Sequence, residues 1–188
     1  MKKLIFTTAV LLITSLSCVH AQRMLKGQTG IEASAGTYFD GKIGNHYYLN
    51  AGLIVNGHNG SYRFLEAEYD KAQKQNGRDI IHRDSYTAEG GSGFLLWSDY
   101  RRIIVLNAGI SAVAGYEITK TVPGVYIDDV FIIPDRHRFV FGAGSRISAG
   151  FYLSDYFVLL LQGRGRLLWG TTGDRFNPSL STGLRIYF

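Results

Sequence analysis

The chain carries nine charged residues whose types and spacing could form a buried network of ion pairs. Five glutamates lie in the first two thirds of the sequence and four arginines in the last quarter. The full set is Glu32, Glu66, Glu68, Glu89, Glu117, Arg146, Arg164, Arg166 and Arg185. Because the arginine guanidinium binds carboxylates through two parallel hydrogen bonds, we expect the acids to pair with the bases.

Other patterns that could support chemistry are weak. Four histidines follow residue 21, none of them with metal-ligand spacing: His46, His58, His82 and His137. His82 and Ser85 could approach each other, but no third residue is placed to orient the base. Three aspartates lie close together in the longest predicted loop: Asp128, Asp129 and Asp135. We expect their side chains to be solvated rather than to bind a divalent cation. We therefore predict no catalytic residue, no metal site and no cofactor.

The elements that position the charged residues are predicted by alternation with a period of two. In the segment 105–118, one face is wholly apolar and the other is mostly small or polar. Seven further segments alternate similarly, giving eight predicted strands at about 28–39, 46–57, 61–71, 80–97, 105–118, 136–153, 157–169 and 179–188. On this assignment all nine charged residues share one face. Each strand is near or above the roughly 9–11 residues that cross a bilayer.

The predicted connections alternate strictly in length. Three are short, namely His58-Asn59-Gly60, Ser98-Asp99-Tyr100 and Ser154-Asp155, and the first contains the Asn-Gly hairpin signal. Four are longer, at 40–45, 72–79, 119–135 and 170–176. Short turns at one end and long loops at the other are typical of outer-membrane barrels, whose strand number is also even.

Aromatic residues on the apolar face fall at two levels. Seven lie towards the long loops: Phe39, Tyr47, Tyr69, Tyr86, Tyr116, Phe139 and Trp169. Four lie towards the short turns: Phe94, Phe151, Phe157 and Phe188. Two such belts are expected where a membrane protein meets the lipid headgroups. The terminal Phe188 also resembles the signal that outer-membrane assembly machinery recognises.

The distribution of charge distinguishes a membrane barrel from a water-soluble one. A secreted eight-stranded barrel such as a lipocalin would place its apolar face inside, whereas here the charged face carries many glycines that suit a crowded lumen. We therefore predict an all-β fold, an eight-stranded antiparallel up-and-down transmembrane β-barrel in contact with outer-membrane lipid. Eight strands leave room only for side chains. The network is thus expected to be the polar core, the alternative being a gate for ions or protons.

The first 21 residues have the features of an export signal. Lys2 and Lys3 precede a mainly apolar stretch, and Val19-His20-Ala21 fits a signal peptidase site. Cleavage after Ala21 leaves 22–188 as a single barrel domain and lowers the formal net charge from +5 to +3, too weak to indicate nucleic-acid binding. The alternative is a lipoprotein cut before Cys18, the sole cysteine.

An ordered set of short motifs resembles one known family. The set comprises Ala21-Gln22-Arg23, Gly30-Ile31-Glu32, Thr87-Ala88-Glu89-Gly90-Gly91, Ala114-Gly115-Tyr116-Glu117, Leu159-Leu160-Leu161, Arg164, Arg166 and Leu168-Trp169-Gly170. In this order and at this chain length, they are similar to TraO, the conjugal transfer protein of Bacteroides-type conjugative transposons. The resemblance covers nearly all of the mature chain and is weakest at 40–45 and 119–135.

The resemblance implies a non-catalytic component of the DNA-transfer apparatus, working with other conjugation proteins. Direct contact with DNA is not expected. The alternation by itself predicts only an outer-membrane barrel, so two other functions stay open. One is a structural or adhesive barrel, and the other is a lipid-modifying enzyme with His82 and Ser85 at its outer rim.

Overall fold

The computed structural model describes residues 24–39, 46–76, 79–122 and 136–188. Within them lie eight strands: β1 (Thr29–Tyr38), β2 (His46–Asn56), β3 (Tyr62–Asn76), β4 (Asp79–Ser98), β5 (Ile104–Val122), β6 (Arg136–Tyr152), β7 (Phe157–Trp169) and β8 (Phe176–Tyr187). The predicted signal peptide, Cys18 and the three aspartates 128, 129 and 135 lie outside the described residues. No helix among the described residues has the length and hydropathy needed to span a membrane.

The eight strands form one closed antiparallel barrel. Each strand pairs with its neighbours in chain order, and β1 pairs with β8 over nine residue pairs to close the sheet. Closure satisfies the backbone hydrogen bonds that an edge strand would leave open, as a lipid environment requires. The predicted all-β, eight-stranded up-and-down fold is therefore confirmed.

The strands are longer at one end of the barrel than the alternation predicted. The connection expected at 72–79 is wrong, because β3 and β4 remain paired up to Asn76 and Asp79. Likewise β5 continues to Val122 and β8 begins at Phe176. Apolar alternation stops in these segments because backbone pairing outside the lipid needs no apolar face. Loop length consequently does not alternate strictly, since only residues 77–78 separate β3 from β4.

At the other end the connections are short. Asn59 and Gly60 both have positive φ, at 54° and 74°, and the Ser61 amide donates to the His58 carbonyl oxygen at 2.9 Å. This is the tight turn that the Asn-Gly pair predicts, because two successive residues with positive φ match the twist of a hairpin. We call this end the inner end, and the end with the extended strands the outer end.

The outward face of the barrel is apolar and carries both predicted aromatic belts. Large exposed hydrophobic residues point outward from every strand. At the outer end the rings touch around the wall, with Tyr69 and Tyr86 5.2 Å apart and Phe141 and Trp169 6.0 Å apart between centroids. At the inner end Phe188 is exposed, and its amide donates to the Thr29 carbonyl oxygen at 2.9 Å. An apolar exterior between two aromatic belts matches the surface expected for a lipid bilayer.

The lumen is filled, and glycines make the filling possible. Several inward glycines lie beside a bulky inward residue on the next strand, as Gly36 does beside Tyr48 and Gly91 beside Phe64. At the inner end the filling is an apolar cluster of Ile54, Tyr62, Phe64, Val105, Tyr152, Val158, Leu160 and Tyr187. This cluster, which we call the apolar plug, closes the inner end of the barrel.

Adding a methyl group to an inward glycine should therefore destabilise the barrel. In Gly91→Ala the new Cβ would lie 2.7 Å from Cζ of Phe64 and 2.9 Å from Cα of Ser111. Overpacking of this kind costs about 1–3 kcal/mol. The measurement is the free energy of unfolding by urea, with the protein refolded in lipid vesicles.

The matched control is Gly163→Ala, because that glycine faces outward on β7 and its added Cβ would meet no atom within 4 Å. There the free energy of unfolding should be unchanged or raised by up to about 1 kcal/mol, since alanine restricts the unfolded chain. Equal effects at the two positions would contradict the packing of the lumen described here.

Candidate functional site: the charged lumen

The structure places all nine predicted charged residues inside the barrel. Their side chains point inward from β1, β3, β4, β5, β6, β7 and β8, and each residue is only 2–4% exposed. The acids come from β1 and β3–β5, and the arginines from β6–β8, so most pairs must form across the lumen rather than along the wall. Isolated charges at this depth would be costly, and pairing offsets that cost.

Arg146 crosses the lumen to hold two glutamates at once. Its guanidinium donates to both carboxylate oxygens of Glu66, at 2.6 and 2.9 Å, and to Oε1 of Glu89 at 2.7 Å. The same guanidinium lies 3.6 Å from the centre of the Phe64 ring, which forms the upper surface of the apolar plug. Arg146 on β6 therefore ties together β3 and β4, two strands with which β6 shares no backbone hydrogen bond.

Arg164 and Arg166 form the second crossing. Both donate to Oε2 of Glu68, Arg164 at 2.7 Å. Arg166 also lies 3.1 Å from Oε2 of Glu89, measured from its Nε, so Glu89 is shared between Arg146 and Arg166. The Arg164 guanidinium stacks 4.2 Å from the centre of the Tyr48 ring. Two like charges two residues apart are thus separated from water and neutralised by shared carboxylates.

The third pair joins the strands that close the barrel. Arg185 on β8 donates from Nε and Nη2 to Oε2 of Glu32 on β1, at 2.9 and 2.7 Å. Glu32 also accepts a hydrogen bond from Nε2 of Gln162 on β7. Because Glu32 and Arg185 are direct partners in the β1–β8 ladder, this pair reinforces the seam of the barrel.

Glu117 departs from the expected pairing with an arginine of the set. Its carboxylate lies near the outer end and accepts hydrogen bonds from the Thr171 hydroxyl at 2.8 Å and the Thr172 amide at 2.9 Å. The reason is its position along the barrel axis, because Glu117 on β5 lies closer to the outer end than the four arginine side chains reach. It instead fixes the 170–175 connection over the outer mouth of the lumen.

A further charged group at the outer mouth did not emerge from the sequence. Nε2 of His46 lies 2.8 Å from Oδ1 of Asp70 and 3.0 Å from Nη2 of Arg83, and the Tyr38 ring stacks on His46 at 4.1 Å. Tyr38 in turn donates to Glu68 at 2.9 Å, linking this group to the central network. Residues separated by an even number of positions share a face of a strand. This rule could have identified Asp70, two residues after Glu68, and Arg83, six residues before Glu89, as inward-facing.

The nucleophile–base pair that the sequence suggests, Ser85 with His82, is not assembled. Ser85 is buried on the inward face of β4, whereas His82, three residues earlier, has the outward parity. A spacing of three residues places two side chains on opposite faces of a strand. Among the described residues, no group of three or more His, Cys, Asp or Glu could hold a metal ion.

From its inner to its outer end, the lumen therefore contains an apolar plug, a balanced ionic layer and a polar mouth. Four carboxylates and four guanidinium groups meet in the ionic layer, through contacts of at most 3.7 Å. The described side chains therefore fill the lumen and leave no open path through it for a nucleic acid or a folded protein. This arrangement suits a rigid barrel whose binding surfaces lie at its ends or on its exterior.

Comparison with known proteins assigns a family. The family model described as conjugative transposon protein TraO matches residues 25–188. The chain belongs to the TraO family. The match covers all eight strands of the barrel and confirms the resemblance seen in the sequence. No match was found among curated proteins.

Solved structures similar to this TraO-family chain include several outer-membrane proteins. A major outer membrane protein from Thermus thermophilus matches with a TM-score of 0.65 and 9% identity, covering 86% of this chain and 98% of that one. Neisserial surface protein A matches with a TM-score of 0.65 and 12% identity, covering 87% and 98%. The attachment invasion locus protein Ail of Yersinia pestis matches with a TM-score of 0.56 and 12% identity, covering 87% and 100%. At these identities the likeness establishes the fold alone.

Removing one arginine of the ionic layer should strongly destabilise the barrel. Arg146→Met keeps much of the side-chain volume but leaves Glu66 and Glu89 without their main partner. Breaking a buried pair in this way costs about 3–5 kcal/mol. The measurement is reversible urea unfolding in lipid vesicles at neutral pH.

Arg63→Met is the matched control, because Arg63 is exposed on the outward face at the inner end of β3. Its free energy of unfolding should change by no more than about 0.5 kcal/mol, as is usual at exposed positions. If Arg146→Met shows a change that small, the proposed stabilising role of the network is wrong.

Proposed function

We propose that this TraO-family protein is a non-catalytic outer-membrane component of a conjugative DNA-transfer apparatus. The observation that carries the proposal is the family match over residues 25–188, whose description names a conjugative transposon protein. The protein reaches the outer membrane after cleavage of the signal peptide 1–21. There it contacts lipid and other conjugation proteins, and it makes no direct contact with DNA.

The closed lumen supports a scaffold rather than a conduit. Passage of a DNA strand would require the apolar plug and the ionic layer to leave the lumen together. Each arginine of that layer is buried and paired with at least one carboxylate within 2.7 Å. A role as a membrane anchor and docking partner for other transfer proteins requires no such opening.

The exterior supports insertion into a bilayer. A water-soluble protein rarely exposes contiguous apolar patches larger than a few hundred Å². Here every strand presents large apolar residues outward, including Leu53, Leu65, Ile147 and Leu161. In the proposed function these side chains contact lipid, and Phe188 at the closing strand is the residue that the assembly machinery recognises.

Deleting the gene should abolish or sharply reduce transfer of the conjugative element, while growth and excision of the element stay normal. The measurement is the mating frequency of a clean deletion strain, with and without the wild-type gene supplied in trans. Transfer at the wild-type frequency would contradict a role in conjugation. It would favour the structural or adhesive barrel.

The protein should fractionate with the outer membrane and migrate on gels as a heat-modifiable band. Deleting Phe188 should reduce the amount of folded protein, because the closing strand loses its terminal aromatic residue. Phe188→Tyr is the control that keeps an aromatic ring, and it should assemble normally. Recovery of the wild-type protein as a soluble periplasmic species would overturn the proposed location.

A further inference from the structure

A groove runs across the outward face of β2–β5, on the side of the wall opposite the ionic layer. Its floor is a row of four alanines, one from each strand, that are direct partners in successive ladders: Ala51, Ala67, Ala88 and Ala114. Neighbouring strands lie roughly 4.8 Å apart, so the floor is roughly 14 Å long. The groove has a volume of about 730 Å³.

The side of the groove towards the outer end is a continuous wall of large residues. Leu49, Tyr69, Tyr86, Tyr116 and Phe139 are successive ladder partners on β2–β6 and line the groove. The four aromatic residues of this wall belong to the outer aromatic belt, at the level where a bilayer changes from headgroups to acyl chains. The groove therefore lies on the acyl-chain side of this boundary.

The groove is bounded by large side chains on its outer side but not across its whole inner side. The next outward row towards the inner end is Leu53 and Leu65 on β2 and β3, but Gly90 and Ala112 on β4 and β5. The groove is therefore a shallow trough that is open towards the middle of the bilayer. An extended acyl chain fits such a trough, and the charges beside it bear on the identity of the occupant.

The charges above the wall indicate which lipid. Lys71 follows Tyr69 by two residues on β3, and Lys120 follows Tyr116 by four on β5, so both share the outward parity. The outward carboxylate near them, Asp84, accepts a hydrogen bond from the Tyr69 hydroxyl at 3.1 Å.

The other side of the barrel has no such cations. Among the described strand residues at the same level of β7, β8 and β1, the outward side chains are uncharged: Trp169, Phe176, Pro178 and Thr37. Cationic side chains and the groove therefore lie on the same strands.

We propose that this surface is a binding site for a membrane lipid with an anionic headgroup. One acyl chain lies along the alanine floor, and Lys71 and Lys120 bind the headgroup above the aromatic wall. The site rests on the proposed insertion into the outer membrane, but not on any role in transfer.

The test measures the association of spin-labelled lipids with the refolded protein in phosphatidylcholine vesicles, by the motionally restricted fraction of the spectrum. The wild-type protein should retain labelled phosphatidylglycerol several-fold more strongly than labelled phosphatidylcholine. A basic residue near a membrane surface contributes about 1 kcal/mol to anionic-lipid attraction, so Lys71→Gln should lower this preference by up to about fivefold.

Filling the floor separates groove binding from simple charge attraction. Ala88→Leu should reduce the restricted phosphatidylglycerol, whereas Ala149→Leu, at the inner end of β6 and away from the groove, should leave it unchanged. A heat-modifiable band verifies that each variant is folded and inserted. Failure of the wild-type protein to insert would contradict the proposed location itself. Insertion with no headgroup preference, or equal effects of the two alanine substitutions, would overturn the lipid site alone.

Discussion

The pairing of arginines with glutamates across a narrow lumen is the interaction on which the rest of this structure depends. An eight-stranded barrel has space inside for side chains but not for bulk water, so charges deep in the lumen are costly unless they meet opposite charges. Arg146 satisfies this condition by holding Glu66 and Glu89 together, and Arg166 by sharing Glu68 and Glu89 with its neighbours. These contacts join strands that share no backbone ladder and thereby fix the cross-section of the barrel.

The small residues of the chain have opposite consequences on the two faces of the wall. Inside, Gly36 and Gly91 leave the volume that Tyr48 and Phe64 occupy, so the lumen becomes closed and rigid. Outside, no side chain of the described residues fills the space above Ala67 and Ala88, and a groove results. The closed interior and the grooved exterior agree with a protein that acts through its surfaces.

This organisation is consistent with the family to which the chain belongs. In the proposed function, a barrel with a filled lumen contributes position, contacts or membrane anchoring rather than a channel. At the outer end, β3, β4 and β5 extend beyond the aromatic belt, and Glu117 holds the 170–175 connection over the mouth of the lumen. Rigid strands and a fixed connection present a defined surface to a partner, which mobile loops would not.

The sequence by itself determined the number of strands, the two faces of each and the set of nine inward charges, because side chains alternate with a period of two regardless of which strands pair. It did not determine that Glu117 binds Thr171 rather than an arginine, nor that His46, Asp70 and Arg83 meet at the mouth. It also missed the extension of β3 and β4 beyond the apolar surface, where polar residues continue the backbone pairing. Those features depend on how far each strand is displaced along its neighbours around the closed sheet, which only the tertiary structure decides.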